Sequence, residues 1–246
     1  MRLQLATWPQ VESYLARSRA VILPIGSTEQ HGPTGLVGTD ALCAEAIAWR
    51  VGERLGVMVA PTLAVGMAQH HMAFPGSMTL RPSTLMAVMR DCLLSLVSHG
   101  FDSVLVINGH GGNSCTVLAA FAETQMDLDA RSPRPGLRTR LLNWWELPQV
   151  DAVSRELFGD AVGCHATPPE VAVTWALHPG TADPRPLEPR VGPRGGFHGA
   201  ADFRASFPDG RIGSDPSLAS PETGERILAV AVDEICRMAE GFFAAD

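Results

Sequence analysis

The sequence predicts an α/β fold with a mostly parallel central sheet and helices on both of its faces. Short apolar runs, each bounded by Gly, Pro or Asn, alternate along the chain with longer stretches whose apolar residues recur at helical spacing. The short runs contain few polar residues, which is typical of strands that are buried on both faces. Strands and helices that alternate in this way favour parallel strands joined by helical crossovers.

Four of the short runs have strand character, and four longer stretches have helical character. The predicted strands span residues 20–26, 57–63, 103–108 and 137–143. The predicted helices span residues 40–55, 83–99, 113–128 and 221–243. Thr39 is the candidate N-cap of the first helix, and Pro82 precedes the second.

Residues 179–216 break this alternation, because they contain seven Pro and seven Gly and show little periodicity. Segments of this length without regular structure are usually functional or disordered in compact domains. We interpret the segment as an ordered arm, with disorder as the alternative. The sequence therefore predicts a single domain over residues 1–246, with an arm or lid at about residues 179–217.

The composition excludes several classes of function. The chain has 246 residues, with 19 Lys+Arg against 26 Asp+Glu, and its net charge of −7 disfavours binding to nucleic acid or to an acidic membrane surface. All 19 cationic residues are arginine, which excludes a Schiff-base lysine, a PLP lysine and the lysine of a Walker A loop. The five cysteines form no C-x-x-C pair, so a Cys-rich zinc site is disfavoured and the cytoplasm is the expected location. No apolar run reaches the roughly 18 residues of a membrane span, and the N-terminus lacks a signal-peptide pattern.

Ionisable side chains follow the first predicted strand, at the sheet edge where open α/β folds bind ligands. Glu29 and His31 lie two residues apart, so they point to one side of an extended chain, and Asp40 opens the next helix. Two carboxylates and an imidazole are a suitable ligand set for a divalent metal. Helix capping and turn formation are the alternative interpretation of these residues.

A second polar segment, residues 108–113, follows the clearest predicted strand and precedes a helix. Its three glycines allow a close backbone approach or positive φ angles, and His110 could reach the same metal as Glu29. The glycine spacing is not that of a phosphate-binding loop. In an extended chain the adjacent His70 and His71 point in opposite directions, so at most one faces a shared site.

The third polar segment contains His165 and Glu170 and leads into a predicted helix. Thr167 and Glu170 have the spacing of a capping box, and Pro168 occupies the first helical position. Glu170 is therefore a candidate helix cap. His165 is either a functional residue or a buried structural histidine.

These motifs resemble those of the creatininase (creatinine amidohydrolase) family. The matching segments are residues 23–33 with Thr39 and Asp40, Phe74-Pro75-Gly76, residues 108–113, and the late pair His165 and Glu170. They occur in the order typical of the family. The resemblance implies a three-layer α/β/α sandwich, a hydrolytic site with two divalent metal ions and a homohexamer.

The resemblance also implies roles for particular residues. The implied metal ligands are Glu29 and His110 for one ion, His31 for the other, and Asp40 as the bridge between them. The expected substrate-binding residues are Trp145, which matches an aromatic wall of the pocket, and His71, Gly111 and Gly112. His165 matches a histidine that passes a proton to the leaving nitrogen. Zinc is the favoured metal, with manganese or iron as alternatives.

Two departures from creatininase proper point to a Gly-Gly subgroup of the family. Creatininase proper has a tyrosine and a metal-binding glutamate at the positions of Gly111 and Gly112, so we expect Glu170 to help replace the missing ligand. It also has a Trp-Asp pair at the positions of Ala161 and Val162. Loss of that pair disfavours creatinine itself as the substrate.

The sequence therefore predicts a metal-dependent amidohydrolase that cleaves a C–N bond of a small non-peptide or cyclic amide by a metal-bridged hydroxide, with His165 as general acid. One alternative is a metallopeptidase that acts on a short or modified peptide. Another is an inactive protein that kept the fold and binds a metal or ligand. A closed pocket beside Trp145 favours the small amide, and an open groove favours the peptide.

Overall fold

Four parallel strands form the central sheet of the protein, which a computed structural model describes over residues 1–131 and 136–244. The strands are β1 (Ala20–Ile25), β2 (Met58–Val59), β3 (Ser103–Asn108) and β4 (Arg138–Asn143). They lie in the order β2-β1-β3-β4, and the pairings between them are parallel. The predicted parallel α/β sheet is confirmed.

The second strand is shorter than the predicted residues 57–63. Pro61 supplies no N–H to a sheet ladder, so regular pairing stops before it. The chain still runs along β1, because the Leu63 N–H donates to the Pro24 carbonyl at 3.0 Å. This segment therefore reaches the carboxyl end of β1 as a loop.

Helices cover both faces of the sheet. They are α1 (Trp8–Leu15), α2 (Thr39–Leu55), α3 (Pro82–His99), α4 (Ser114–Arg131), α5 (Pro148–Phe158), α6 (Pro168–Leu177), α7 (Ala200–Ser206) and α8 (Pro221–Ala244). Helices α2, α5, α6 and α8 pack on one face, and α1, α3 and α4 pack on the other. The three layers expected from the sequence are present. Within the described residues, no helix has the length and apolar character needed to cross a membrane.

Successive residues of each central strand point to opposite faces and build two separate cores. On β3, Leu105 and Ile107 belong to the core beneath α2 and α8, whereas Val104 and Val106 belong to the core beneath α3 and α4. All four side chains are fully buried. Burial of such a side chain contributes about 1.5–3 kcal/mol relative to exposure. One uninterrupted apolar run therefore supplies both cores.

The first turn of α2 packs directly on the ends of two strands. Gly38 is the N-cap, and Thr39, the predicted cap, is instead the first residue of the helix. A Cβ on Gly26 or on Gly109 would lie 2.3 Å or 2.1 Å from backbone atoms of this turn. The two glycines thus allow Asp40 to sit against the carboxyl ends of β1 and β3.

The strand order creates a crevice at those carboxyl ends. From β1 the chain passes through α2 on one face to β2, and from β2 it returns through α3 on the other face to β3. Loops that leave adjacent parallel strands in opposite directions open a crevice where ligands bind. The polar segments after β1 and β3 both enter this crevice.

The Pro- and Gly-rich segment contains a 3₁₀ turn at Pro179–Thr181 and the short helix α7, and most of its other residues lie in turns and irregular loop. Phe203 and Phe207 form an aromatic cluster with Phe74 and Phe197. This cluster places α7 against the short 3₁₀ turn at Gln69–His71. The segment is therefore packed on the rest of the protein next to the crevice.

Candidate metal and active site

The crevice gathers ionisable side chains from distant parts of the chain. Glu29 and His31 follow β1, Asp40 lies in the first turn of α2, and His110 follows β3. His165 precedes α6, and Glu170 lies in the first turn of that helix. Glu29, His31 and Asp40 are at most 3% exposed. The structure thus brings together all six residues that the sequence proposes as metal ligands or general acid.

Three overlapping groups of these side chains could hold metal ions, with the potential ligand atoms of each group within 4.8 Å of one another. The groups are Glu29–Asp40–His110, His31–Asp40–Glu170 and Glu29–His31–His165. The first two groups share Asp40, so its carboxylate could bridge two cations. Nitrogen and oxygen donors without a thiolate suit zinc, manganese or iron(II).

Buried carboxylate oxygens at this site have no hydrogen-bond partner among the described residues. They are both Oε atoms of Glu29 and Oδ2 of Asp40. His110 Nδ1 lies 3.2 Å from Glu29 Oε1 and 3.2 Å from Asp40 Oδ2, but neither contact is an aligned hydrogen bond. A buried carboxylate whose hydrogen bonds are not satisfied costs several kcal/mol. Divalent cations are therefore the groups that this donor set fits.

Backbone carbonyls fix the hydrogens on the two candidate ligand histidines. His110 Nε2 lies 3.0 Å from the Met67 carbonyl, and His31 Nδ1 lies 3.1 Å from the Glu29 carbonyl. Because a carbonyl only accepts, both of these nitrogens carry hydrogen. The opposite nitrogens, Nδ1 of His110 and Nε2 of His31, face the carboxylate of Asp40 and are the candidate ligand atoms.

Mutual charge effects shift the pKa values of this cluster. Burial lowers the pKa of His31, but the Asp40 carboxylate at 3.0 Å outweighs burial and raises it to about 10. Burial raises the pKa of Glu29, but His110 and His71 outweigh it and hold that pKa well below its usual range. Burial likewise lowers the pKa of His110, but Glu29 and Asp40 outweigh it and raise that pKa well above its usual range. Without a metal, the protons on His31 and His110 thus stabilise the buried carboxylates. A bound cation must displace the proton from His31 Nε2.

His165 is a neutral imidazole in the wall of the crevice. Its Nε2 donates to the Gln30 carbonyl at 2.8 Å, which leaves a lone pair on Nδ1, 3.9 Å from Glu29 Oε1. Burial, reinforced by His31 and His71, holds the pKa of His165 well below its usual range. A neutral imidazole with a free nitrogen can accept a proton and pass it on.

Glu170 uses its two carboxylate oxygens for different contacts. Oε1 accepts a hydrogen bond from the Thr167 N–H at 2.6 Å, and the reciprocal bond completes the predicted capping box. Oε2 lies 3.9 Å from His31 Nε2. Burial raises the pKa of Glu170, and His31 acts in the opposite direction. A cap and a candidate metal ligand are thus compatible in one side chain.

A pocket of 360 Å³ opens over these donors. Trp145, Gly111 and Val162 lie in its wall, and Asp151 and Arg155 also line it. This volume falls near the lower end of the range for small-molecule sites, about 300–1,000 Å³. Larger cavities of 660 and 770 Å³ lie elsewhere on the protein, and their lining residues belong to none of the three donor groups.

His71, which we expected to contact substrate, lies beside Glu29 and is 1% exposed. Its Nε2 is 3.2 Å from Glu29 Oε1. The neighbouring His70 packs on Phe197 with ring centroids 4.9 Å apart. The expectation that the two side chains point in opposite directions is wrong, because a 3₁₀ turn rather than an extended chain carries them and brings their ring centroids to 4.1 Å.

The Pro- and Gly-rich segment holds the backbone of His165. Ile212 forms an isolated bridge with His165, and Ser214 Oγ donates to the His165 carbonyl at 2.6 Å. The neighbouring Arg211 is fully buried and holds this part of the segment to an earlier part, because its guanidinium donates to the Pro189 carbonyl at 2.7 Å. Sequence reasoning missed Arg211, because a single arginine in an irregular segment belongs to no motif.

A family model described as "Creatininase: Creatinine amidohydrolase" matches residues 4–239. The chain belongs to the creatininase family. The creatinine amidohydrolase of Pseudomonas putida is 29% identical over an alignment of 246 positions, which covers 93% of this chain and 92% of that protein. The mycofactocin precursor peptide peptidase of Mycolicibacterium smegmatis is 30% identical over an alignment of 221 positions, which covers 87% of this chain and 81% of that protein.

Solved creatininase structures share the fold of this family member over its whole length. A creatininase structure named for Mn has a TM-score of 0.87 and 27% identity, with 99% of each chain covered. A mutant creatininase of Zn-Zn type has a TM-score of 0.88 and 25% identity, with 99% and 98% covered. These likenesses place the donor cluster in a family whose solved structures include zinc and manganese forms.

Gly112 makes room for His110 in this creatininase-family chain. A Cβ on Gly112 would lie 2.5 Å from His110 Nε2 and 2.5 Å from the Met67 carbonyl. By contrast, the atom nearest to a Cβ on Gly111 is 3.9 Å away, on Trp145. A glutamate at position 112 is therefore incompatible with the present position of His110.

We expect Gly112→Ala to displace His110 and to lower zinc affinity by about 10–100-fold, the effect typical of disturbed support for a metal ligand. Gly111→Ala is the matched control, because its Cβ makes only an ordinary van der Waals contact. Competition with a chromophoric chelator measures both affinities. Equal zinc affinity in the two variants would contradict the role assigned to Gly112.

Proposed function

We propose that this creatininase-family chain is a metal-dependent amidohydrolase that cleaves a C–N bond of a small non-peptide or cyclic amide. Family membership supports the reaction class. The observation that carries the proposal is the set of buried carboxylate oxygens without partners on Glu29 and Asp40, next to a 360 Å³ pocket. In a protein that kept only the fold and bound no metal, the free-energy cost of burying these charges would have no compensation.

The donor groups divide into two candidate metal positions. Glu29 and His110 would hold one ion, His31 and Glu170 would hold the other, and Asp40 would contact both. When bound, the ions supply Lewis acidity toward the amide carbonyl and lower the pKa of the attacking water toward about 7. Zinc is the favoured metal, with manganese or iron(II) as alternatives, and the Zn-Zn and Mn forms among solved relatives support the first two.

His165 would carry the proton in this reaction. Its Nδ1 faces Glu29 Oε1 and its ring lines the pocket, so it can reach a group that is bound there. Its lowered pKa keeps Nδ1 free to take up a proton, and the resulting imidazolium is acidic enough to protonate the departing nitrogen. Ile212 and Ser214 hold its backbone during this transfer.

The size of the pocket supports a small substrate. Trp145 and Val162 give it apolar wall area, and Asp151 and Arg155 add charge to its lining. With Ala161 and Val162 in place of the Trp-Asp pair of creatininase proper, creatinine is not the expected substrate. A second candidate function is hydrolysis of a short or modified peptide, which the 30% identity to a peptidase supports.

We also propose that the protein is a cytoplasmic homohexamer. Five free cysteines support a reducing compartment. The exposed apolar side chains of Leu118 and Met126 on α4, at 53% and 71%, support contact between copies. Analytical ultracentrifugation measures the number of copies directly.

Glu170→Gln should separate the two roles of this side chain. A glutamine still satisfies the capping box, whereas its neutral amide is a weaker metal ligand. We expect the variant to retain the thermal stability of the metal-free protein and to bind one fewer metal ion per chain by elemental analysis. Thr167→Ala is the reverse control, expected to lose about 0.5–2 kcal/mol of stability and to keep its metals. Full metal content in Glu170→Gln would show that Glu170 is a cap only.

His165→Ala should lower kcat by about 10²–10⁴-fold, because it removes the proton donor to the leaving group. The metal content should stay at the wild-type value, since Nε2 of His165 binds a backbone carbonyl and the two proposed metal positions take their ligands from other residues. Asp40→Asn is the contrasting variant and should lose metal and activity together. Loss of metal from His165→Ala would instead make His165 a ligand.

The proposed function is tested by metal analysis followed by a substrate screen. We expect two equivalents of zinc, manganese or iron per chain in the undialysed protein. The metal-loaded protein is then assayed for amine release from cyclic amides, formamides and short peptides. Turnover of small amides alone supports the proposal, and turnover of peptides alone supports the second candidate. A protein that binds no metal after reconstitution would overturn both.

A further inference from the structure

Gln30 buries its carboxamide between His71 and His165, and only 6% of the residue is exposed. Two backbone groups fix the orientation of the amide. Its Oε1 accepts a hydrogen bond from the Gly32 N–H at 2.8 Å, and its Nε2 donates to the Gly210 carbonyl at 3.0 Å. An N–H only donates and a carbonyl only accepts, so the reversed amide would face two groups of the wrong polarity.

The second hydrogen of the Gln30 amide has two imidazole nitrogens within reach. They are His71 Nδ1 and His165 Nε2, each 2.9 Å away. His165 Nε2 also lies 2.8 Å from the backbone carbonyl oxygen of Gln30. Because that oxygen only accepts, His165 Nε2 already carries a hydrogen. The amide hydrogen therefore goes to His71 Nδ1.

This assignment fixes the tautomer of His71. A neutral imidazole that accepts at Nδ1 carries its hydrogen on Nε2. His71 Nε2 lies 3.2 Å from Glu29 Oε1. A chain of fixed polarity thus runs from the Gly32 N–H through Gln30 to His71, and it places the Nε2 hydrogen of His71 on the side of Glu29, although the 3.2 Å contact is not an aligned hydrogen bond.

The segment that carries Gly210 is shaped around this amide. A Cβ on Gly210 would lie 1.9 Å from Gln30 Oε1, and the residue has a φ of +87°, which favours glycine. Only a glycine at this position lets the arm bring its carbonyl to Gln30.

We infer that Gln30 is a positioning residue, which directs the Nε2–H of His71 at Glu29 through the hydrogen bond to His71 Nδ1. The inference rests on the proposed function, because Glu29 matters there as a metal ligand. Groups behind a ligand that fix its orientation change metal affinity or activity by about 10–100-fold when they are removed. Gln30 acts through His71, and its own amide is fully used by Gly32, Gly210 and His71.

The test reads the His71 tautomer in metal-free protein that is labelled with ¹⁵N at histidine. A long-range ¹H–¹⁵N spectrum distinguishes protonated from unprotonated ring nitrogens, and a His71→Gln variant assigns the His71 signals. We expect an unprotonated Nδ1 in the wild type. Gln30→Glu places an acceptor opposite this nitrogen, so we expect hydrogen on Nδ1 in that variant. Gln30→Met, which only removes the donor, should give a mixture of tautomers and covers the case in which Gln30→Glu does not fold.

The same variants are then titrated with zinc against a chelator. We expect Gln30→Glu and Gln30→Met to bind zinc about 10–100-fold more weakly than the wild type. Ser77→Ala is the matched control: Ser77 Oγ accepts from the Gln30 backbone N–H at 3.1 Å, so this variant should keep the tautomer and the affinity.

Two results would overturn the inference. One is a hydrogen on His71 Nδ1 in the wild type, and the other is a changed tautomer that leaves zinc affinity as it was. The tautomer is read without metal or substrate, so this failure is distinct from failure of the proposed function. If the wild-type protein hydrolyses no amide but shows the expected tautomers and zinc affinities, only the proposed function is overturned.

Discussion

The burial of Glu29 and Asp40 at the carboxyl ends of β1 and β3 is the constraint on which the rest of the site depends. Their oxygens lie where the chain leaves adjacent strands in opposite directions, out of contact with water and without sufficient hydrogen-bond donors. Placing Asp40 there requires glycine at positions 26 and 109, because the first turn of α2 rests on their backbone. Packing between α2 and the sheet thus sets the distance between the two carboxylates, and positive charge must compensate for their burial.

Backbone polarity determines how the histidines meet these carboxylates. The Met67, Glu29 and Gln30 carbonyls each take the hydrogen of one imidazole, on His110, His31 and His165. In each ring the opposite nitrogen is left for the crevice. Backbone groups in a packed structure move little, so the directions of the nitrogen donors are set by the fold before any cation binds. Backbone groups of Gly32 and Gly210 orient the Gln30 amide in the same way, and this amide in turn sets the tautomer of His71. The peptide backbone therefore determines the direction of the hydrogens in the whole cluster.

The local pattern of the sequence predicts the strands of the central sheet well, and the residues that it proposes as donors lie together in the crevice. The run at 103–108 is β3 with the predicted bounds. All six of its residues are buried, and the uninterrupted apolar run between Ser103 and Asn108 indicates this from the sequence alone. The Thr167 and Glu170 spacing predicts a real capping box. Prediction was less accurate where long-range contacts decide the outcome. Thr39 is not the cap, since the N-cap is Gly38 and the first turn of α2 packs on Gly26 and Gly109. Arg211 and the partners of Gln30 come from segments remote in sequence, and no local pattern encodes them.

Gly112 and Glu170 constrain two different parts of the candidate site. The space that a side chain at position 112 would occupy is filled by the ring of His110 and the Met67 carbonyl, so this position has no room for a carboxylate in the present loop. A carboxylate oxygen opposite His31 comes from the first turn of α6, where Glu170 also binds the backbone of Thr167. A donor in a capping box is held by the helix itself, whereas a donor in a loop of glycines would need separate support. Glu170 therefore ties the candidate second metal position to the helix that follows His165.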